Sequence, residues 1–340
     1  MGSTAVEQDG LVIPIINFSS FLSGSPEARL SAAKSILQAF QTSGFLYLSH
    51  TPIPPSLLSS VFSNSAALFS QPPEFKNQYR WTTPSANRGY SAPGREKVTQ
   101  LTSSDDVSSL RASAPDLKES FEIGRDDEAG HPNHWPDGAK LPDFRAVMAE
   151  FFRRCHELNV EVMRAIAVGM GLEEGFFDTF VNKGDNTLRL LHYPPVEKGR
   201  FEGGAVRAGE HSDYGSITLL FQDERGGLQV QAPEGGFVDA RPVEGTVVVN
   251  AGDLLARWAN EGVKSTVHRV VEPPAPPKEE GVGGEVREYP ARYSVAYFCN
   301  PNFDSFIEAI PGTYGAEKGE KRYEGIYSGD YLVQRLSATY

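Results

Sequence analysis

Hydrophobic positions in the first seventy residues change their spacing in a regular order. Leu11–Phe18 is a short apolar run, which predicts a strand. From Leu30 to Phe40 apolar residues recur every three to four positions, which predicts an amphipathic helix, and Ser25-Pro26-Glu27 before it is typical of a helix start. Phe45–Leu48 predicts a second strand, and residues 56–70 predict another helix. The chain therefore begins with a strand, helix, strand unit.

The rest of the chain divides into a loop region, one long helix and a series of short strands. Residues 81–138 are rich in Gly, Pro, Asp and Ser and predict long ordered loops, whereas residues 143–170 carry one apolar stripe at helical spacing. The predicted strands are Leu188–Tyr193, Ile217–Phe221, Leu228–Gln231, Thr246–Val249, Thr266–Val271 and Ala291–Phe298. A helix is predicted over Tyr331–Leu336. Short strands with turn signals between them indicate a sandwich or barrel, so the fold class is mainly β with α (α+β).

Composition narrows the classes of partner. The net charge of −12 argues against nucleic acid and against an anionic membrane, because both require a basic face. No apolar run approaches the roughly 18 residues that suggest a membrane span. Two cysteines are too few for a disulfide framework, and we expect a reduced, cytoplasmic location. A small-molecule ligand remains as the expected partner.

Two of the seven histidines have a context that indicates metal binding. His211 and Asp213 are two apart at the mouth of a predicted strand, where side chains of alternate residues point the same way. His268 interrupts a β-branched strand, where an unpaired imidazole would be costly. Two histidines and one carboxylate on one face of an ion are the ligand set of non-heme Fe(II) oxygenases.

A charged pair follows the second histidine. Arg292 and Ser294 are two apart on a predicted strand and share one face. An arginine that points into a strand-rich core needs an anionic partner. A bound carboxylate ligand and a buried structural ion pair would each satisfy it, and the pattern alone does not decide between them.

Together, His211-x-Asp213, His268 and Arg292-x-Ser294 resemble the 2-oxoglutarate/Fe(II)-dependent dioxygenase superfamily, in its isopenicillin N synthase-like branch. This resemblance implies a double-stranded β-helix (jelly-roll) core with supporting helices. It also implies Fe(II) as cofactor, with 2-oxoglutarate and O2 as co-substrates. By this likeness His211, Asp213 and His268 bind iron. Arg292 and Ser294 hold the distal carboxylate of 2-oxoglutarate, assisted by Tyr193.

A closer resemblance concerns stretches outside the metal motif. Asn87–Lys97, Lys118–Arg125, the run around His211 and Ile310–Tyr314 are similar to the fungal thymine dioxygenase (thymine 7-hydroxylase) group. This likeness implies oxidation of the thymine methyl group in steps to the alcohol, the aldehyde and the acid. Two alternatives remain open, namely the same chemistry on an aromatic or polyketide-type metabolite, and a non-catalytic metal-binding jelly-roll protein.

A flat, polar pyrimidine calls for aromatic faces and a few hydrogen-bond donors. Phe298 lies six residues after Arg292 on the same strand face, and Tyr214 adjoins the metal motif. Arg189 lies four residues before Tyr193 on its strand face and could donate to a ring carbonyl. Each of these side chains could equally be a core residue, and we predict them as substrate contacts.

The resemblance also divides the chain. Residues 1–130 are expected to form the N-terminal helical and loop region, and residues 131–340 the catalytic core with its support helix and C-terminal helix, as one structural unit. The long loop region at 82–130 is the part that we expect to close over the site.

Overall fold

Two β-sheets lie face to face in the computed structural model, which describes residues 3–95, 116–197, 207–272, 288–317 and 319–339. The strands are β1 Thr4–Gln8, β2 Leu11–Asn17, β3 Phe45–Ser49, β4 Gly89–Ser91, β5 Glu119–Ile123, β6 Thr187–Tyr193, β7 Val196–Glu197, β8 Ala208–His211, β9 Ile217–Gln222, β10 Leu228–Gln231, β11 Phe237–Asp239, β12 Thr246–Ala251, β13 His268–Val270, β14 Glu288–Tyr289, β15 Arg292–Cys299, β16 Phe306–Ile307 and β17 Ile326–Tyr327. The helices are α1 Ser19–Ser23, α2 Pro26–Thr42, α3 Pro55–Phe69, α4 Pro73–Lys76, α5 Phe144–Gly169, α6 Asp178–Val181, α7 Asp253–Trp258 and α8 Ser328–Thr339.

The larger sheet has nine strands in the order β1-β2-β3-β12-β9-β15-β6-β5-β4. The smaller sheet has four strands in the order β11-β10-β13-β8. Small apolar side chains of both sheets pack together between them, among them Leu191 and Ala296 from the larger sheet and Ala208 and Val270 from the smaller one. Two facing sheets of this kind, supported by helices, are the jelly-roll architecture, and the predicted fold class is confirmed.

Helices cover the outer face of the larger sheet. Helix α5 places a buried apolar stripe there, and the ring of Phe151 meets that of Phe221 on β9 at 5.1 Å between centroids. Helix α2 begins as predicted, since the Ser25 side chain accepts from the backbone N–H of Ala28 at 3.3 Å. The main hydrophobic core therefore lies between this face and the helices.

The loop prediction for residues 81–138 is wrong in one respect. Strands β4 and β5 lie within it and pair with each other, and β5 also pairs with β6. All five residues of β5 are buried, including Glu119 and Glu122. The sequence does not predict this strand because two of its five residues are acids. Carboxylates are seldom buried unless they are paired, and the sequence does not show their partners.

Other predicted elements differ mainly at their ends. The strand predicted over Thr266–Val271 is only His268–Val270, and the C-terminal helix extends over Ser328–Thr339. The division at residue 130 stays a prediction, while β3 from the first part pairs directly with β12 from the second. Among the helices that the structure describes, none is both long enough and apolar enough to cross a membrane.

Candidate active site

A cavity of about 610 Å³ lies between the two sheets. Its walls come from the inner face of the larger sheet, from β8 and β13 of the smaller sheet, and from helix α8. All nine side chains predicted for metal, co-substrate and substrate contacts line this one cavity, and they are His211, Asp213, His268, Arg292, Ser294, Tyr193, Arg189, Tyr214 and Phe298. Their roles stay predictions, but the structure brings them together.

Two histidines lie next to each other on adjacent strands of the smaller sheet. His211 is the last residue of β8 and His268 the first of β13, and these two residues are directly paired. Asp213 completes the group, with its Oδ1 at 3.9 Å from Nε2 of His211 and 3.7 Å from Nε2 of His268. Within the described ranges, no other three His, Cys, Asp or Glu side chains cluster closely enough to hold a metal ion.

Strand alternation does not explain why His211 and Asp213 converge, because Asp213 lies beyond the end of β8. The turn that follows β8 brings it back. The Asp253 N–H donates to the carbonyl of Asp213 at 2.8 Å, which ties this turn to the start of α7. A side chain at Gly215 would meet the backbone oxygen of Cys299 at 2.4 Å, so the turn requires glycine at that position.

Backbone carbonyls fix the tautomers of both histidines. Nδ1 of His211 lies 2.7 Å from the oxygen of Gly209, and Nδ1 of His268 lies 3.1 Å from that of Thr266. A carbonyl only accepts hydrogen bonds, so each Nδ1 carries the proton and each Nε2 presents a lone pair. Burial, with a smaller contribution from His268, lowers the pKa of His211 to about 3, which keeps this ring neutral as metal binding requires.

The Asp213 carboxylate is held from its other oxygen. Thr218 Oγ1 donates to Oδ2 at 2.6 Å and Asn250 Nδ2 donates to it at 2.7 Å. Burial alone would raise the pKa of Asp213, but the neighbouring imidazoles and these two hydrogen bonds lower it below its ordinary value. Two imidazole Nε2 atoms and one carboxylate oxygen that lie close together fit Fe(II).

Arg292 also lines the cavity and is almost fully buried. It donates to the Gly226 carbonyl at 2.6 Å, to Ser294 Oγ at 3.2 Å and to Gln222 Oε1 at 3.4 Å. Its guanidinium carbon lies 4.8 Å from the ring centre of Tyr193. No carboxylate forms an ion pair with Arg292 in the described part of the chain, so the structure does not contain the structural ion pair that the sequence left open.

A second buried arginine beside this site was missed by sequence reasoning. Arg207 pairs with Glu272 at 2.6 Å and donates to the backbone oxygen of Tyr193 at 3.2 Å. Its guanidinium carbon lies 5.8 Å from the Tyr193 ring centre. Tyr193 therefore has two guanidinium groups near its ring, and no local sequence pattern indicates that Arg207 reaches it.

The predicted substrate residues Arg189 and Phe298 touch each other. The guanidinium carbon of Arg189 lies 5.3 Å from the Phe298 ring centre, and its Nε lies 2.8 Å from Oε1 of Glu122. Glu122 is fully buried and also accepts from Ser120 Oγ at 2.8 Å. Strand β5, which the sequence analysis did not predict, therefore orients the side chain of Arg189, which it did predict as a substrate contact.

Helix α8 forms part of the cavity wall through Leu332, Val333 and Leu336. It is attached to the metal-side turn by Tyr331, whose hydroxyl donates to Asp253 Oδ2 at 3.0 Å. The Arg335 guanidinium carbon also lies 4.5 Å from the ring centre of Tyr214. Its amphipathic pattern predicted a helix but gave no sign of a place beside the site.

The region expected to close over the site, residues 82–130, contributes residues from near both of its ends to the cavity wall. Pro84 to Arg88 and Glu128 line the cavity, and Arg88 pairs with Glu128. Residues 96–115 of this region lie outside the described part of the chain, as do residues 273–287. Closure by residues 82–130 stays a prediction.

Comparison with known proteins gives a consistent assignment. Residues 13–138 match the family model described as non-haem dioxygenase in morphine synthesis N-terminal, and residues 184–301 match that of the 2OG-Fe(II) oxygenase superfamily. A curated proline hydroxylase, buaE from Petromyces alliaceus, is 33% identical over 96% of this chain and 98% of its own.

Two solved structures of full-length thymine 7-hydroxylase from Neurospora crassa are more similar. The complex with alpha-KG and thymine is 61% identical, with a TM-score of 0.89 over 99% of this chain and 100% of that chain. The complex with alpha-KG and 5-formyluracil is 57% identical, with a TM-score of 0.88 over the whole of both chains. The chain therefore belongs to the 2OG-Fe(II) oxygenase superfamily and is a 2-oxoglutarate-dependent dioxygenase that uses Fe(II).

Proposed function

We propose that this enzyme hydroxylates the methyl group of thymine and oxidises the product further, through the aldehyde to the acid. The observation that supports this substrate is the full-length similarity, at 57–61% identity, to the Neurospora crassa complexes that contain thymine and 5-formyluracil. 5-Formyluracil carries an aldehyde where thymine carries its methyl group. It therefore corresponds to an intermediate of stepwise oxidation at that carbon.

In this proposal His211, Asp213 and His268 hold Fe(II). When bound, Fe(II) supplies with 2-oxoglutarate and O2 the oxidising power for C–H hydroxylation, with succinate and CO2 as co-products. The backbone carbonyls at Nδ1 keep both Nε2 atoms available for the metal, and the lowered pKa values of His211 and Asp213 favour a neutral imidazole and an ionised carboxylate at those two positions. Three protein ligands leave positions for exchangeable ones.

Arg292, Ser294 and Tyr193 are proposed to bind the distal carboxylate of 2-oxoglutarate. Arg292 is a buried cation that has no ion pair among the described residues, so a carboxylate that enters the cavity finds a desolvated partner for charge-assisted hydrogen bonds. The Tyr193 ring beside the guanidinium restricts its orientation. Arg207 in turn holds the backbone of Tyr193.

Thymine is proposed to lie against Phe298, with Arg189 donating to a ring carbonyl and Tyr214 covering the metal side. The ion pair with Glu122 fixes the Arg189 guanidinium in the cavity wall, so its position is set before the substrate arrives. Apolar side chains between these groups, Leu191, Leu220 and Val270, keep bulk water from the reacting carbon.

A substrate panel tests the proposal. The purified protein is mixed with Fe(II), 2-oxoglutarate and ascorbate, and succinate is measured with thymine, uracil, thymidine or L-proline. We expect thymine to raise succinate formation well above the rate without substrate, together with an oxidised pyrimidine. Turnover of L-proline in place of thymine would instead favour the activity for which the Petromyces alliaceus relative is named.

Substitution of Phe298 tests the stacking contact. Loss of one aromatic face under a base costs about 1–3 kcal/mol, so Phe298→Ala should raise the KM for thymine by about 5- to 150-fold. The KM for 2-oxoglutarate should stay within about threefold, because Arg292 lies elsewhere on β15. Phe298→Tyr should retain most of the affinity, and Phe306→Ala, at an exposed ring on β16, serves as the matched control. An unchanged KM for thymine in Phe298→Ala would exclude the contact.

Helix α8 offers a separate test of how the cavity retains its substrate. Arg335→Met removes the contact with Tyr214 and weakens the attachment of α8 to Asp253. Together with Tyr331→Phe, it should weaken the packing of α8 against the cavity by about 1–2 kcal/mol. We expect the KM for thymine to rise by about 5- to 30-fold. More succinate should form per thymine oxidised, because the oxidant is less well shielded. If the double variant keeps wild-type KM and stoichiometry, α8 has no part in substrate retention.

A further inference from the structure

The two oxygens of Asp213 have different neighbours. Oδ1 lies 3.9 Å and 3.7 Å from the Nε2 atoms of His211 and His268. Oδ2 accepts hydrogen bonds from Thr218 at 2.6 Å and Asn250 at 2.7 Å. The carboxylate therefore offers one oxygen to the imidazoles, while protein donors occupy the other.

These donors stand on a rigid base. Thr218 on β9 and Asn250 on β12 are direct cross-strand partners in the larger sheet. Strand β9 lies between β12 and β15, and both side chains are almost fully buried. Because a paired position projects both side chains to the same side, the two donors approach Oδ2 together. The backbone of neither residue can shift without disturbing the sheet.

Folding alone gives no reason for polar side chains at this pair. Asn250 follows three consecutive valines in β12, and a β-branched apolar residue would suit either position of a buried strand pair. Burying an amide or hydroxyl costs stability unless it is hydrogen bonded, whereas a hydrogen bond to a charged group stabilises more than one between neutral groups. Both side chains direct a donor at Asp213, and this common target indicates their purpose.

We propose that Asn250 and Thr218 are positioning residues that hold Asp213 as a ligand through Oδ1 alone. This inference rests on the proposed metal site. A carboxylate released from these bonds can rotate about Cβ–Cγ and present either oxygen, or both. Held as it is, Asp213 occupies a single position and leaves the remaining ones to 2-oxoglutarate and O2.

Mn(II) binding to the full-length protein without co-substrate provides the test, because Mn(II) accepts nitrogen and oxygen ligands and binding is then measured apart from turnover. The dissociation constant is measured from the electron paramagnetic resonance signal of free Mn(II). Thr218→Val removes the hydroxyl at almost constant volume, Thr218→Ser keeps it, and Asn250→Ala removes the amide. Loss of an outer-shell partner weakens metal binding by about 10- to 100-fold, which is the result expected for Thr218→Val and Asn250→Ala. Thr218→Ser should bind within about threefold of wild type.

The outcomes separate three explanations. A structural role alone would lower the unfolding temperature of the metal-free protein and leave Mn(II) affinity unchanged, and that result overturns the inference. If Asn250→Ala does not fold, the comparison of Thr218→Val with Thr218→Ser decides. His211→Ala is the reference for the metal site itself. If wild type binds no Mn(II), or if His211→Ala binds it equally well, the proposed site fails rather than the positioning role.

Discussion

Replacement of His211 or Asp213 by alanine is expected to reduce succinate formation to the background of the assay. Each substitution removes one of the three proposed protein ligands, and even the loss of an outer-shell contact costs about 10- to 100-fold. A loss of at least about 100-fold is therefore the minimum expected for a ligand. The rate of succinate formation with Fe(II), 2-oxoglutarate and thymine is the measurement.

Folding must be checked in the same variants. Asp213→Ala leaves Thr218 and Asn250 without their acceptor, which costs about 1–3 kcal/mol for each buried group, so thermal unfolding of the metal-free protein is measured as well. Asp127→Ala is the matched control, because this carboxylate is 84% exposed and its ion pair with Arg125 contributes little. Substantial turnover in a folded His211→Ala variant would show that the metal is bound elsewhere.

Substitution of Arg292 should act on the co-substrate instead. Truncating one partner of a buried, charged hydrogen-bonded pair costs about 2–5 kcal/mol, so Arg292→Leu should raise the KM for 2-oxoglutarate by at least about 30-fold. The KM for thymine should change little. Arg292→Lys keeps the charge but loses the planar guanidinium, so its KM for 2-oxoglutarate should lie between those of wild type and Arg292→Leu. Initial rates at varied 2-oxoglutarate and varied thymine separate the effects.

The opposite pattern would contradict the assignment. If Arg292→Leu weakens thymine binding more than 2-oxoglutarate binding, Arg292 belongs to the substrate pocket. Arg225→Leu is a useful comparison, since this arginine lies beside Glu272 in the same region but does not line the cavity. It should leave both KM values close to those of wild type.

Residues that share one strand could be placed from the sequence because their geometry is local. Arg292, Ser294 and Phe298 all line the cavity, as period-two alternation along β15 requires. His268 could be predicted as a ligand because an unpaired imidazole in an apolar strand would be costly to bury. The fold class followed in the same way, from alternation and turn spacing over many short strands.

Residues whose position depends on distant pairing could not be placed. Asn250 reaches Asp213 across 37 positions of sequence, and Arg335 reaches Tyr214 from the far end of the chain. Glu122 was not placed because the sequence of its strand is typical of a loop. Its partners Ser120 and Arg189 are known only from the structure. His211 and Asp213 were paired correctly for the wrong reason, since a turn held by Asp253, and not strand alternation, brings them together.

Oxidation of thymine deuterated at its methyl group tests the central claim most directly. The wild-type enzyme is incubated with Fe(II), 2-oxoglutarate and this substrate, and products are identified by mass spectrometry while succinate is measured in parallel. We predict a hydroxymethyl product that has lost one deuterium, followed by the aldehyde and the acid, with one succinate formed for each oxidation step. Succinate formed at the same rate with uracil as with thymine, without any change at the methyl group, would contradict the account.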